Sequence, residues 1–379
     1  MKLLELCLSP GHGGLELYAA RVARHYRGRG VVAVVRRGGF LRQRLEEAGI
    51  RYRTLAVGIR AWPWLAARRL ARLIDREGID VVHMHWRGDL ALAALAKRLA
   101  RRPVRLVYTR QMALTRSKFD PYHRFLYRQV DAFLCITRRL AGDARRFLPL
   151  PPERIHVLYY GVPAAEPAPC REFLDELGWD DDGFRVALFG RMEPGKGQHL
   201  LVEAVRRLRA AAIDARAALV GHVMDPAYRR ALEESVAAGG LDGAIVFRDF
   251  VAEPQRYMGC FHAVVLASRE ETFGLVLPEA MRAGTAVVGS RAGGVPEIID
   301  HGRTGLMFES GDAADLARCL ERLARDPALR GRMAAAGRAE ADARFSEEAH
   351  FRRLEALLDS EDGGQRAEDR GRRTEPRRG

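Results

Sequence analysis

Two hydrophobic rhythms alternate along the chain. Short apolar, β-branched runs recur first as "LLELCLS", "VVAVVRR", "DVVHMHW", "VRLVYT" and "DAFLCIT". Between the first two, Leu15, Tyr18, Ala19, Val22 and Tyr26 repeat at the period of an α-helix. A second series follows: "RVALFG", "ARAALVG", "AIVFRDF", "HAVVLAS" and "TAVVGS". Here too a helical pattern intervenes, with Leu201, Ala204, Val205 and Leu208 on one face. Strands alternating with helices predict parallel sheets covered by helices. The stretch "GVPAAEPAPC", rich in proline and alanine, separates the two series as a linker. The pattern predicts an N-terminal doubly wound domain over 1–161, a linker over 162–183 and a second such domain over 184–345. A helix over 346–359 with Ser346 as its cap candidate comes next, and then a tail over 360–379 nearly devoid of apolar residues, predicted to be disordered. Open sheets of this kind bind ligands beyond the C-terminal ends of their strands, so two in tandem predict domains facing a cleft.

Composition sharpens this picture at two points. The net charge of +14 is unevenly distributed: residues 1–150 hold 31 basic and 11 acidic residues, whereas 151–379 hold 32 and 38. The first half is therefore expected to face something anionic. The chain also has 63 basic residues but only four lysines, Lys2, Lys97, Lys118 and Lys196. No apolar run approaches the roughly 20 residues of a membrane span, and "MKLLELCLSPGHGG" reads as a first strand entering a glycine turn, not a signal peptide. Five scattered cysteines without a C-x-x-C pair predict a reduced, cytoplasmic protein with neither a disulfide framework nor a zinc cluster.

Candidate chemistry concentrates in two segments. "RMEPGKG" follows a strand and precedes a helix, where unpaired backbone N–H groups favour phosphate. Arg191 and Lys196 add a planar fork and a compact point charge, both suited to a diphosphate. In "SREETFGLVLPEAMRAG", Glu271 and Glu279 flank Phe273, Gly274 and Leu275. Carboxylates beside a diphosphate need other partners, and sugar hydroxyls are such partners. Backbone N–H groups at Gly274 and Leu275 remain for phosphate.

These segments resemble the retaining glycosyltransferases of glycosyltransferase family 4, with the two-domain GT-B fold. "GRMEPGKG" resembles their basic donor-phosphate motif, "EETFGLVLPEA" their E-x7-E motif, and "GTAVVGSRAGGVPEII" the segment that follows. "GGLE" resembles their N-terminal glycine loop, with Gly13 and Gly14 near the donor. The resemblance implies that Arg191 and Lys196 bind the donor diphosphate and stabilise the leaving nucleotide, that Glu271 holds the donor sugar, and that Glu279 holds the ribose. It implies transfer of a sugar, with retention, from a UDP-, GDP- or ADP-linked donor to a hydroxyl of an envelope glycan or glycolipid such as a lipopolysaccharide. The diphosphate needs no metal where two basic side chains meet it, and no cofactor is expected. Many family members carry a histidine after the strand equivalent to "LVYT"; Arg110 and Gln111 stand there instead.

Weaker signals complete the reading. His85 and Gln111 are candidates to contact the transferred sugar, and Glu16 and Arg110 to contact the acceptor, although strand-end polar residues also serve structure. His83 and His85 lack an evident third ligand, so no metal is expected there. The D-x-D in Asp180–Asp182 reads as a solvated turn. "GHGGLE" lacks the third glycine of a dinucleotide fingerprint, and Arg36-Arg37 replace the expected acid, which disfavours an NAD(P) oxidoreductase. "RAWPWLAARRLARL" and "TRSKFDPYHRFLYRQV" mix aromatic residues with arginines and suit an anionic membrane surface at which the protein would be peripheral. No nucleic-acid signature appears. A nucleotide-sugar-binding protein without transferase activity stands as the alternative.

Overall fold

A computed structural model describes residues 1–58, 61–164, 166–179 and 183–359. The Asp180–Asp182 turn and the 360–379 tail lie outside the described residues. The described residues divide into two compact units, residues 1–158 with 351–359, and residues 159–350.

Unit 1 carries strands β1 (Leu3–Cys7), β2 (Val31–Val35), β3 (Tyr52–Thr54), β4 (Val81–Met84), β5 (Arg105–Arg110), β6 (Ala132–Cys135) and β7 (Ile155–Val157). They form one parallel sheet in the order β3-β2-β1-β4-β5-β6-β7. β1, β2, β4 and β6 are buried along their whole length, as helix-covered parallel strands must be. β3 and β7 escape a sequence reading because each has three residues on a sheet edge, with too few apolar positions to mark a strand.

Unit 2 carries β8 (Phe184–Phe189), β9 (Ala215–Val220), β10 (Ile245–Arg248), β11 (Ala263–Leu266), β12 (Ala286–Ser290) and β13 (Leu306–Phe308), ordered β10-β9-β8-β11-β12-β13. In each unit the order runs outward one way from the first strand and then jumps back to its other side. The switch points therefore fall between β1 and β4, and between β8 and β11. Loops leaving adjacent strands diverge there, which opens the ligand crevice of such sheets. The helices Gln198–Ala210 and Ala313–Arg325 bury Leu201, Val205, Leu316 and Leu320 against the second sheet.

The helix Glu347–Asp359 belongs to both units. The Ser346 hydroxyl accepts from the Ala349 N–H at 3.2 Å, which caps its start. Further on, Phe351 stacks on His25 with ring centroids 3.8 Å apart, and Arg105 donates to the Leu358 carbonyl at 2.9 Å. No helix among the described residues is long and apolar enough to cross a membrane.

One expectation fails in unit 2. Cys170, at the start of the helix Cys170–Glu176, is disulfide-bonded to Cys260, 90 residues away in the chain. Packing of that helix beside the lead into β11 brings the two together, which no local spacing reveals. Cys7, Cys135 and Cys319 are free and buried. Denatured, unreduced protein should therefore titrate three thiols and reduced protein five; five before reduction would refute the pairing.

His262, just before β11, yields a pH prediction. Its Nδ1 accepts the Arg185 N–H at 3.0 Å, and its ring stacks on Phe184. Burial, helped by Arg330 and Arg185, lowers its pKa to about 4. The unfolded residue takes up a proton near pH 6.5, whereas the folded one resists until about pH 4. Stability should thus fall as pH drops through that window. Discounted for screening, the loss is on the order of 1–2 kcal/mol. Thermal melts of wild type and His262→Gln should converge toward pH 4.5, and parallel curves would rule the effect out.

Candidate active site

The switch point of unit 2 gathers the two motif segments. After β8, Pro194–Lys196 form one 3-10 turn, and Gly197 takes a left-handed conformation (φ 75°) before the helix Gln198–Ala210 begins. A Cβ on Gly197 would overlap the Ala267 carbonyl oxygen, so glycine is required here both for its φ and for the closeness of the β11 loop. The Arg269 N–H donates to the Gly195 carbonyl at 3.0 Å, which ties that loop to the lysine turn. From the other side, the Gly294 N–H donates to the Glu271 carbonyl at 2.9 Å, and the Ser290 hydroxyl to the Ser268 carbonyl at 2.7 Å. The loop after β11 is thus pinned between the loops after β8 and β12.

This pinning sets the central contact. Lys196 Nζ donates to Glu271 Oε2 at 2.9 Å, and the Ser268 hydroxyl reaches the same oxygen at 3.3 Å. Both partners are partly buried, with side-chain exposures of 24% and 19%. Arg191 lies more open and pairs with Glu193 at 2.9 Å, while its carbonyl accepts from Gln198 at 2.8 Å. The N–H groups of Gly274 and Leu275 donate to no acceptor among the described residues. They lead into the helix Val276–Arg282, whose first turn holds Glu279. Phe273 is buried, its ring packed on Tyr160 and Phe345 with centroids 5.4 and 5.9 Å away. Its side chain anchors the loop from beneath.

The switch point of unit 1 has a different character. Gly13 precedes the helix Gly14–His25, and its N–H donates to the Glu16 carboxylate at 2.8 Å. That carboxylate, buried, closes the first turn of the helix. The structure supplies the third potential ligand that His83 and His85 lacked in sequence: Glu5 on β1. Its two oxygens meet His83 Nδ1 at 2.8 Å and His85 Nε2 at 2.6 Å, while His83 Nε2 meets the Thr109 hydroxyl at 2.7 Å. These donor atoms lie close enough together for a metal, but the contacts have hydrogen-bond lengths and each accommodates a proton. Burial by itself would raise the pKa of Glu5; the two imidazoles outweigh it and hold the group at about 2. Burial, with His83 beside it, lowers the pKa of His85. His85 Nδ1 and Gln111 Nε2 are buried polar atoms without a hydrogen-bond partner among the described residues. Such atoms are costly unless something else satisfies them. Arg110 donates to the Met112 and Ala113 carbonyls at 2.8 and 3.0 Å and to the Tyr108 hydroxyl at 3.1 Å.

Two parallel sheets of this strand order in tandem, with a basic turn and a glutamate loop meeting at the second switch point, define a GT-B glycosyltransferase fold. The comparisons agree. The family described as Glycosyltransferase Family 4 matches residues 12–166, and that described as Glycosyl transferases group 1 matches residues 183–326. The chain is 30% identical over 290 residues to the lipopolysaccharide core biosynthesis mannosyltransferase LpcC of Rhizobium leguminosarum bv. viciae, covering 74% of this chain and 79% of that protein. It is 29% identical over 298 residues to the D-inositol 3-phosphate glycosyltransferase of Streptomyces scabiei (strain 87.22), covering 74% of this chain and spanning 61% of that relative's length. Among solved structures, that of HepE from Anabaena in complex with UDP superposes with a TM-score of 0.82 at 23% identity, over 94% of this chain and 99% of the other. The chain belongs to the family 4 glycosyltransferases, as the motifs led one to expect.

Proposed function

We propose that the protein transfers a sugar from a nucleotide-diphosphate donor to a hydroxyl of an envelope glycan or glycolipid, with retention of configuration and without a metal. The observation that carries this reading is the Lys196–Glu271 contact at the switch point of unit 2. An ammonium there meets the diphosphate as the leaving group gains charge, and a donor group of this type contributes a few kcal/mol to the transition state. Glu271, with Glu279 eight residues on, offers acceptors to sugar and ribose hydroxyls. Gly274 and Leu275 offer N–H groups to phosphate, and Arg191 adds its fork. His85 and Gln111, each with a buried nitrogen unpartnered among the described residues, are the unit 1 groups proposed to meet the transferred sugar. The name of LpcC, a lipopolysaccharide core mannosyltransferase, supports an envelope acceptor and a hexose donor. The UDP complex of HepE supports a uridine nucleotide among the donors to try first.

The test is a thermal-shift panel of UDP, GDP, ADP, CDP and NAD on wild type and Lys196→Ala. At about 100 times Kd, one nucleoside diphosphate should add roughly 2.7 kcal/mol to the wild type and little to the variant. A shift with NAD alone would overturn the reading. Glu271→Ala then separates an enzyme from a binder, because only the former loses turnover with nucleotide still bound.

A peripheral membrane location has its own support. Trp62, Trp64, Leu65, Met112 and Phe119 are exposed on unit 1, the unit with the basic excess. Aromatic and cationic side chains together favour an anionic interface. Sedimentation with vesicles should show binding only when anionic lipid is present; equal recovery with neutral vesicles would count against it.

A further inference from the structure

Unit 1 holds a cavity of about 630 Å³ bounded by the segment after β5, the start of the helix Leu90–Leu99 and the helix Pro121–Tyr127. Arg87, Arg110, Arg116 and Lys118 line it together with Tyr122 and Tyr127, and among the described residues no aspartate or glutamate does. Several arginines elsewhere are neutralised locally: Arg206 and Arg207 share Glu203, Arg229 meets Glu233, and Arg325 meets Glu321. Arg87, Arg116 and Lys118 have no carboxylate partner among the described residues.

The rarity of lysine isolates the same place. Lys2 donates to the Glu77 carbonyl, Lys97 pairs with Asp131 and Lys196 with Glu271. Lys118 is the lysine whose ammonium has no such partner among the described residues, and it lines the cavity. The wall that carries it is held in place. Arg110 clamps the carbonyls of Met112 and Ala113, the Lys118 N–H donates to the Phe147 carbonyl at 2.8 Å, and the Tyr122 hydroxyl donates to the Ala61 carbonyl at 2.5 Å. Arg110 therefore spends its hydrogen bonds on the loop and contributes its charge, leaving Arg87, Arg116 and Lys118 to supply free donors. Uncompensated cations facing one concave surface repel one another and focus a positive field, and an anion relieves both. Guanidinium and ammonium groups together suit phosphate or carboxylate oxygens.

We propose that this cavity binds an acidic group, phosphate or carboxylate, carried by the acceptor. The role as acceptor site rests on the transferase reading; the anion site does not. Inorganic phosphate, glycerol 1-phosphate, and vesicles of phosphatidylcholine with and without phosphatidic acid are titrated against the full-length wild type and Arg116→Ala/Lys118→Ala, and the nucleotide panel is repeated on both. The double variant should lose roughly a hundredfold or more in affinity for the anion, the effect of two charge-assisted hydrogen bonds, and keep its nucleotide shift. A loss with the soluble phosphates assigns the anion to a free acceptor; a loss confined to phosphatidic acid vesicles assigns it to a lipid headgroup. Equal affinities of wild type and double variant for every probe would overturn the site. A blank nucleotide panel on both proteins would instead overturn the transferase reading and leave the anion result standing.

Discussion

Lys196→Ala is expected to lower turnover about 10²–10³-fold, the usual consequence of removing one preorganised charge donor from a developing anion. Two losses combine in this variant. The leaving diphosphate loses its ammonium, and Glu271, partly buried at 2.9 Å from Lys196, loses the cation that balances it. Lys196→Arg should restore little. Arginine carries the charge, but its planar fork is wider than an ammonium, and the turn is fixed by Gly197 beneath Ala267 and by the Gly195–Arg269 hydrogen bond. Steady-state kinetics on the identified donor, beside melts showing an intact fold, provide the check. Near-normal turnover in Lys196→Arg would show that charge alone matters and that the geometry of the turn does not.

Gly293→Ala is expected to cost roughly 3 kcal/mol of stability or more. Gly293 has φ 59°, and a Cβ there would overlap the carbonyl oxygen of Glu271, backbone on backbone, where no side chain can swing aside. Relief requires the β12 loop to retreat from the glutamate loop, which would also loosen Glu271 from Lys196. The variant should therefore melt several degrees lower and bind nucleotide poorly. Gly302→Ala is the control: φ is again positive, at 87°, but nothing lies within 4 Å of the added carbon, so the cost is the backbone strain alone, about 1 kcal/mol. If both variants melt alike, contact between the two loops does not hold the site together.

Much of this protein is legible along the chain because its parallel strands are short apolar runs and its helices keep a 3.6-residue period. Both periods follow from local geometry and burial. The glycines at 195, 197 and 274 marked the turns for the same reason: a glycine where a strand meets a helix is a local signal. The places where the reading stopped are places of long separation. Cys170 and Cys260 carry no spacing that announces a bond. Glu5 sits in an apolar run on β1, and only strand pairing brings it between His83 on β4 and His85 just after it. Arg110 read as a candidate to contact the acceptor, and in the fold it clamps its own loop.

Sequence alone determined the tandem of parallel α/β domains, the family, and the two segments proposed to carry the donor chemistry, because periodicity, turn residues and motif spacing are properties of neighbours in the chain. Tertiary structure alone decided which charges are balanced. It set Lys196 against Glu271 across 75 residues and left Lys118, which lines a cavity, without a carboxylate partner among the described residues. A charge is satisfied or left open by whatever the fold packs beside it, and that depends on strand order and loop contact rather than on position in the chain.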